Sequence, residues 1–289
     1  MTKTLPDANL SLAGFAKSES LSPSNYEFLQ RQVLDGCGIV VETGKDYLFE
    51  ARLMSIVRRE NLRSLNDLCA LMRATSVNGL HKEVIEAMTT NETLFFRDIG
   101  PFEALRKQVI PELCSKRQVS RRIRIWSAAA SSGQEAYSIA MLICELGLAG
   151  WTFEIVGTDI AESILERARR GRYSQLEVNR GLPAAHLIKY FTKHGMEWQI
   201  KDELRRMVRF EQFDLRRSAA GLGSFDVIFC RNVLIYFDQP TKQQILESLK
   251  NALNKGGYLC LGAAENMMSS NLVFNKHAFG TATLYQNPE

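Results

Sequence analysis

The sequence predicts an α/β protein in which a small all-helical domain precedes a doubly wound parallel sheet. Up to about Thr89 the apolar residues recur at helical spacing, and no segment alternates as a strand does. After Arg121, β-rich runs alternate with helical segments, which is typical of a parallel sheet covered by helices. We therefore expect a flexible tail over 1–20, a helical domain over 21–88, and a sheet domain over 89–289 with an inserted β subdomain over 171–206.

Composition limits the class of protein. Of the 289 residues, 45% are hydrophobic and 24% charged, which is ordinary for a soluble globular chain. There is no run of about 18 apolar residues, and the first residues lack the layout of a signal peptide, so we expect a cytoplasmic protein without direct membrane insertion. The 6 cysteines are scattered without a C-x-x-C pair, so we expect neither a disulfide framework nor a metal site.

Positive charge is concentrated in one region. Residues 162–217 hold 13 Lys and Arg against 8 Asp and Glu, an excess larger than the net charge of +4 for the whole chain. Such a region either prefers an acidic partner or is a solvated basic surface. Charge alone leaves both interpretations open.

Four helices are predicted in the first domain. Ser22, followed by proline, is a helix start, and Gly36 is the predicted end of this first helix. Residues 45–60 have helical periodicity, Ser64 begins a Ser-x-x-Asp cap for a third helix, and residues 78–90 form a fourth.

Strands are predicted where β-rich runs occur in the second domain. They cover 122–128, 153–159, 207–214 and 225–232, and a further strand follows the Gly-Gly turn at 256–257. Helical segments lie between the first two runs and after the fourth. Within the insert, residues 189–204 predict two short strands around Gly195.

Very small side chains follow the first strand. Residues 128–133 read AAASSG and precede Glu135, so a ligand can approach the backbone and the start of a helix closely. The single glycine does not match G-x-G-x-x-G, and Glu135 would repel a phosphate but favour a cationic amine or sulfonium, which points to S-adenosylmethionine (SAM). Asp159 ends the second strand, where an acid binds ribose hydroxyls. Close helix packing and a helix cap at Asp159 are the structural alternatives.

Two further stretches place polar residues near the predicted ligand. One is the linker over 89–98, where the polar residues lie among aromatic ones. The other follows the fourth strand at the carboxyl edge of the sheet, where functional loops occur. The residues are Asn91, Thr93, Arg97, Arg231, Asn232 and Tyr236.

Together these motifs resemble the chemotaxis receptor methyltransferases, which use SAM to esterify glutamate side chains of methyl-accepting chemoreceptors. The resemblance covers nearly the whole chain after the tail. Its carriers are N-x-T-x-F-x-R from Asn91, A-A-A-S-x-G-x-E from Ala128, T-D-I from Thr158, and F-D-x-I-F-C-R-N-V-x-I-Y-F from Phe225. It implies a Rossmann-like methyltransferase domain that uses SAM, releases S-adenosylhomocysteine and needs no metal.

The resemblance also implies a set of site residues. Those at the cofactor are Asn91, Thr93, Arg97, Glu135, Asp159, Asp214, Leu215, Arg231 and Asn232. Position 214 departs from the asparagine often found in the family, but an aspartate still accepts a hydrogen bond from the adenine amino group. Arg97 and Tyr236 are the candidate catalytic residues that hold the acceptor carboxylate. Arg97 equally suits the carboxylate of the cofactor, and Tyr236 equally suits a packing role, so these functions stay open.

The implied partner is the cytoplasmic helical region of chemoreceptors, and we expect a monomer that does not act on nucleic acid. Nucleic-acid methylation is an alternative because of the basic insert. However, the fourth strand ends in Arg-Asn-Val instead of N-P-P-[YFW] or D-P-P-[YFW], and there is no aromatic-rich basic platform. A catalytically silent SAM-binding adaptor is the other alternative, and retention of Arg97 and Tyr236 argues against it.

Two finer expectations concern the receptor. Lys45, Arg52, Arg59 and Arg63 fall within about 40° of one face if the second helix extends that far, which predicts either a stripe along an acidic receptor helix or a solvated face. Family members that bind a receptor's C-terminal pentapeptide have a longer, glycine-richer hairpin than the one around Gly195. We therefore expect that this chain does not depend on such a tether.

Overall fold

The computed structural model describes residues 20–76, 79–267 and 270–289. The tail predicted over 1–20 lies outside the described residues except for Ser20. The first domain consists of α1 (Pro23–Cys37), α2 (Asp46–Arg59), α3 (Leu65–Ala74) and α4 (Gly79–Met88). Their apolar faces form one buried core, which confirms the all-helical prediction.

Side-chain caps fix the starts of α1 and α3. Ser22 Oγ accepts a hydrogen bond from Asn25 N at 3.4 Å, and Ser64 Oγ accepts one from Asp67 N at 3.2 Å. The predicted end of α1 at Gly36 is wrong. Gly36 lies inside the helix, where a Cβ atom would come within 2.4 Å of the Ile85 side chain, and Gly38 ends the helix with φ 78°.

The second domain follows a short linker. In chain order its elements are α5 (Gly100–Ala104), a π-helical turn (Leu105–Val109), α6 (Ile110–Lys116), β1 (Arg122–Ala128), α7 (Gln134–Leu146), β2 (Thr152–Asp159), α8 (Glu162–Arg170), β3 (Arg172–Ser174), α9 (Gln175–Asn179), α10 (Ala184–Tyr190), β4 (Phe191–His194), β5 (Glu197–Ile200), α11 (Asp202–Arg205), β6 (Val208–Gln212), β7 (Phe225–Cys230), α12 (Gln239–Ala252), β8 (Leu253–Leu261), β9 (Asn275–Phe279) and β10 (Ala282–Gln286).

Seven of these strands form the main sheet in the order β6-β2-β1-β7-β8-β10-β9. The first five are parallel, and β10 pairs antiparallel with both β8 and β9. Both faces are covered: in β7, Val227 and Phe229 enter one apolar core while Ile228 and Cys230 enter the other. The Rossmann-like, doubly wound prediction is confirmed, although the sequence analysis missed the β9–β10 hairpin.

The insert is a separate sheet with the order β3-β5-β4. Its β4–β5 hairpin turns over two residues at Gly195, whose φ is 60°, as the sequence predicts. The third strand, β3, is only 3 residues long and was not predicted, because such a short strand shows no alternation.

Polar contacts join the two domains on either side of the linker. Glu86 of α4 accepts hydrogen bonds from Glu162 N (3.1 Å) and Ser163 Oγ at the start of α8. Arg216, just after β6, donates to the carbonyl oxygens of Leu34, Asp35 and Gly36 at the end of α1, at 3.1, 3.0 and 2.8 Å. A cation at a helix C-terminus and an anion at an N-terminus both oppose the helix dipole, so each contact stabilises the interface. Within the described ranges, no helix is long and apolar enough to cross a bilayer.

Candidate functional site

A cleft of about 820 Å³, partly open to solvent, lies at the carboxyl ends of β1, β2 and β7. The sheet domain, the linker and the helical domain all contribute to its walls, the last through Cys37 and Ile39. Of the predicted site residues, the structure places these on the cleft: Asn91, Thr93, Arg97, Asp159, Asp214, Leu215, Arg231, Asn232 and Tyr236.

The loop after β1 has an unusual backbone. Ala129 and Ser131 take left-handed conformations with φ 58° and 51°, and Gly133, with φ 94°, precedes α7. Left-handed backbone costs about 1–3 kcal/mol at residues other than glycine, so surrounding contacts must hold it. Two such contacts are the hydrogen bonds from Ser131 N to Asp159 Oδ2 (2.9 Å) and from Ser131 Oγ to Asn91 O (2.7 Å).

Asp159 therefore has a structural function as well as a place on the cleft. Its side chain is buried, and its other oxygen accepts a hydrogen bond from Ala161 N at 3.1 Å. Burial raises the pKa of this carboxyl group, while the backbone N–H groups of Ala161, Ser131 and Ile160 oppose that shift. Each oxygen retains a lone pair for a ligand on the cleft side.

Arg231 is the buried cation of the site. Its guanidinium donates from Nη1 to Glu135 Oε2 (3.0 Å) and from Nη2 to both Arg97 O (2.8 Å) and Asp98 Oδ2 (2.9 Å). Its Nε is buried and has no hydrogen-bond partner among the described residues. A buried donor without an acceptor is costly, so this atom suits a ligand group that accepts a hydrogen bond.

Glu135 is held by two side chains, one of which belongs to the cleft residue Arg231. Its carboxylate accepts hydrogen bonds from Ser127 Oγ (2.7 Å) and Arg231 Nη1, and it is not among the residues on the cleft wall. Contact of Glu135 with a cationic ligand group stays a prediction.

Asp214 is tied to the helical domain through Arg216. Arg216 donates from Nε and Nη2 to the two carboxylate oxygens at 3.0 and 2.7 Å, in addition to its bonds to the end of α1. These partners raise the pKa of Arg216, with the hydrogen bond to Asp214 as the largest cause. The aspartate at position 214 thus has a fixed orientation and a balanced charge.

The linker is fixed mainly by its own neighbours and by α2. Asn91 Nδ2 donates to Thr89 Oγ1 at 3.0 Å, and the Arg52 guanidinium donates to Met88 O, Thr89 O and Thr90 Oγ1. Arg97 donates to a single described acceptor, the carbonyl oxygen of Glu92, at 3.2 Å. Arg97 therefore retains donors for a ligand.

The basic stripe is not one helical face. Lys45 precedes α2 and pairs with Glu42 at 2.7 Å, and Arg63 lies four residues beyond the last residue of the helix, Arg59. Arg52 holds the linker, and Arg59 pairs with Glu60 and Glu83. Lys45 and Arg63 lie outside α2, so the condition for a continuous helical stripe is not met. Contact of these residues with a receptor stays a prediction.

Seven of the 13 basic residues in 162–217 form ion pairs among the described residues. Acids from outside that region contribute, with Glu92, Glu145 and Glu154 contacting Arg180, Lys189 and Arg209. Inside it, further pairs form, such as Arg167 with Glu177 at 2.6 Å. The choice between a solvated surface and an acidic partner stays open.

Comparison with known families places the chain. Residues 24–89 match the family model described as "CheR methyltransferase, all-alpha domain", and residues 91–282 match "CheR methyltransferase, SAM binding domain". The chain belongs to the CheR methyltransferase family. The two matches correspond to the helical domain and the sheet domain.

Curated relatives of this CheR chain carry the same description. It is 42% identical over 253 residues to "Chemotaxis protein methyltransferase Cher2" of Pseudomonas putida, covering 85% of this chain and 92% of the relative. It is 42% identical over 252 residues to "Chemotaxis protein methyltransferase 1" of Pseudomonas aeruginosa (85% and 91%). For "Chemotaxis protein methyltransferase 1" of Vibrio cholerae the identity is 41% over 254 residues (86% and 91%).

The CheR cleft fits SAM. Its lining combines acidic, basic and apolar side chains, as a nucleoside with an amino-acid end requires. Asp159 offers lone pairs to hydroxyl groups, Asp214 offers an acceptor, and Arg231 Nε offers an unpartnered donor. Among the described ranges, His, Cys, Asp and Glu do not gather in a group of three that could hold a metal ion.

Sequence analysis missed three functional positions. Arg216 joins Asp214 to α1, and Cys37 brings the helical domain to the cleft. Glu265, after β8, accepts four backbone hydrogen bonds that shape the loop after β7. An acid in "GAAEN" directly after a buried strand was the available signal, but no local motif distinguishes it from a surface glutamate.

Proposed function

We propose that this CheR family member transfers a methyl group from SAM to glutamate side chains of chemoreceptors in the cytoplasm, forming glutamate methyl esters. The family and the chemotaxis names of its relatives support this proposal. The observation that carries it concerns the hydrogen bonds of the carboxylates on the cleft. These bonds decide whether a carboxylate is available to remove a proton from the methyl acceptor.

Three acids line the cleft: buried Asp159 and half-buried Asp214 are engaged by protein donors, and exposed Glu92 lies 3.5 Å from Arg180. Asp159 accepts hydrogen bonds from two backbone N–H groups, and Asp214 is paired with Arg216. Burial raises the pKa of the Cys37 thiol, so it is not a ready base. An amine or alcohol acceptor must lose a proton during methyl transfer, whereas a glutamate carboxylate is already ionised at pH 7. A carboxylate acceptor needs no general base and therefore suits this cleft.

Bound SAM supplies an electrophilic methyl group on a sulfonium. We propose that Asp159 holds the ribose hydroxyls, that Asp214 accepts from the adenine amino group, and that Arg231 Nε donates to the amino-acid end of the cofactor. Asn91, Thr93, Leu215 and Asn232 complete the walls. These residues are positioned by the hydrogen bonds described above.

Arg97 and Tyr236 are the proposed acceptor-binding residues. Both lie on the cleft, and no described residue forms a hydrogen bond with the Tyr236 hydroxyl. Either side chain can hold one carboxylate oxygen while the other oxygen attacks, and such orientation can lower a barrier by about 7–11 kcal/mol. Arg97 is partly exposed to water, which weakens its ion pair and keeps the carboxylate nucleophilic.

The decisive experiment uses purified protein, SAM with a labelled methyl group, and membranes that contain chemoreceptors. We expect label on the receptor that mild base releases as methanol, because esters hydrolyse in base whereas methylated amines do not. Label on nucleic acid, or base-stable label on protein, would contradict the proposal. SAM binding without any transfer would identify the silent adaptor instead.

A matched pair of variants tests the acceptor site. Tyr236→Phe should lower kcat about tenfold with unchanged SAM affinity if its hydroxyl holds the carboxylate, since a lost hydrogen bond to a charged group costs about 1.5–3 kcal/mol. Tyr258→Phe removes a hydroxyl bonded to Glu112 at 2.6 Å, away from the cleft wall, and should leave kcat unchanged. Equal kinetics for the two variants would remove Tyr236 from the acceptor site.

A further inference from the structure

One carboxylate holds the loop that follows β7. Glu265 lies four residues beyond the last residue of β8, Leu261. Its Oε2 accepts hydrogen bonds from Asn232 N (2.8 Å) and Gly262 N (2.7 Å), and its Oε1 accepts from Val233 N (2.9 Å) and Leu234 N (2.7 Å). Every donor is a backbone N–H group, so the Glu265 side chain fixes the conformation of the main chain.

The backbone of this loop is shaped as an anion site. Asn232 has φ 57°, in the left-handed region, and Val233 follows with φ −127° and ψ −36°. Alternation of left-handed and right-handed residues turns consecutive N–H groups toward one point, which creates a concave site for an anion. Here the anion comes from the chain, because the Glu265 carboxylate occupies the point where the three N–H groups meet.

We propose that Glu265 is a positioning residue for the cofactor cleft. The loop that it holds carries Asn232 and Tyr236, which line the cleft, and begins directly after Arg231. Removing the carboxylate leaves three convergent N–H groups without their acceptor and leaves the left-handed Asn232 unsupported. The loop then relaxes, and the cleft loses its shape on this side. The proposal rests on the proposed use of SAM and adds a residue outside the cleft lining to the same site.

Glu265→Gln is the sharpest test. The amide has nearly the same shape, but its nitrogen would face two N–H donors where a carboxylate oxygen now accepts them. We expect the Kd for SAM, measured by calorimetry, to rise at least about tenfold, which corresponds to about 1.4 kcal/mol. The KM for SAM should rise with it.

Glu112→Gln is the matched control. Glu112 accepts hydrogen bonds from Tyr258 Oη (2.6 Å) and Gln286 Nε2 (3.1 Å), and it does not line the cleft. The Glu112→Gln variant also weakens side-chain hydrogen bonds, so it shows how far SAM affinity falls through a general loss of stability. Wild-type SAM affinity in Glu265→Gln, or an equal loss of affinity in Glu112→Gln, would overturn the proposal.

Two measurements keep the test decisive if Glu265→Gln does not fold. Gly262→Ala would place a Cβ atom 2.6 Å from Glu265 Oε2 and 2.8 Å from Asn232 N, so it should disturb the same contact and weaken SAM binding. In the wild type without SAM, hydrogen exchange should be slow at the amides of residues 232–234, and rapid exchange there would contradict the proposal. Binding is measured without receptor, so a protein that binds SAM but methylates no receptor would refute the proposed function alone.

Discussion

Replacing Asp159 by asparagine tests the assignment of the ribose to this residue, although the amide nitrogen also faces one of the two backbone N–H donors. In the structure, Asp159 Oδ2 accepts from Ser131 N and Oδ1 from Ala161 N, and both oxygens retain a lone pair toward the cleft. If both ribose hydroxyls bind here, the substitution converts two charged hydrogen bonds, worth about 1.5–3 kcal/mol each, into neutral ones worth about 0.5–1.5. The expected loss is about 2–3 kcal/mol, or a rise in the Kd for SAM of about 30- to 150-fold.

Alanine at this position is a less specific change. Asp159→Ala should cost about 2–4 kcal/mol of SAM binding through the ribose alone. It also leaves Ser131 N and Ala161 N without acceptors, so part of its effect would come from release of the loop after β1. Asparagine retains one acceptor and the shape of the side chain, and it is therefore the preferred variant.

The assay is isothermal calorimetry with SAM, accompanied by thermal unfolding without the cofactor. Asp226→Asn is the control, because Asp226 is also buried and accepts from Arg117, from Arg124 N at 3.0 Å and from Asn254, outside the cleft. It should lower stability without changing SAM affinity. Wild-type SAM affinity in Asp159→Asn would refute the assignment of the ribose to Asp159.

The pH dependence of binding gives a second check on the same residue. Burial raises the pKa of Asp159, so in the protein without cofactor the ionised form is disfavoured, and native stability contributed by this group falls as pH rises through that pKa. Binding of the ribose requires the ionised form. SAM affinity should therefore fall on acidification through the raised pKa, whereas Asp159→Asn should show no such dependence.

Three further predictions concern the domain interface and the receptor. Arg216→Lys loses the planar contact to Asp214 and the end of α1, so SAM affinity should fall about tenfold and the melting temperature should drop, whereas Arg217→Lys should change neither. Free receptor C-terminal pentapeptide should not bind tightly in calorimetry, because the hairpin at Gly195 is a two-residue turn; submicromolar binding would contradict this. Substitution of both Arg59 and Arg63 by Glu should raise the KM for receptor and make this KM less dependent on salt, while SAM affinity stays unchanged. Wild-type kinetics of the variant at low salt would show that these residues form only a solvated face.

The choice of Arg59 and Arg63 for that last variant comes from the structure. Sequence analysis favours Arg52 with Arg59, since both lie on the same side of α2. Arg52 donates to the carbonyl oxygens that shape the linker, so an acid at this position would repel them and disturb the cofactor cleft directly. Effects on receptor and on cofactor could then not be told apart.

Much of the fold was predictable because its signals are local. The strands β1, β2, β6 and β7 of the main sheet are β-rich runs, and the convergence of Asp159, Arg231 and Asn232 follows from the rule that parallel strands end at one edge. Gly36 and Gly38 show the limit. Both are glycines near the end of α1, and only the contact of Gly36 with Ile85 determines which of them lies inside the helix.

The parts that were missed depend on contacts between distant segments. The ion pair between Glu135 and Arg231, which lie 96 residues apart in the chain, could not be predicted from either motif. Glu265 and Arg216 have ordinary sequence surroundings, and their importance comes from backbone groups that they meet only after folding. Residue spacing indicates which chain segments meet, but not which charge each side chain selects as its partner.

The participation of Cys37 and Ile39 in the cleft has a consequence for how this family can diverge. Because α1 ends against Arg216 and its following residues form part of the cofactor's surroundings, the helical domain is not an exchangeable recognition module. A homologue in which another domain replaced the helical domain, and recognised another class of acceptor, would also lack part of the cofactor cleft wall. Changes of acceptor are therefore expected to accumulate on the outer surface of this domain, whose substitution leaves those walls in place.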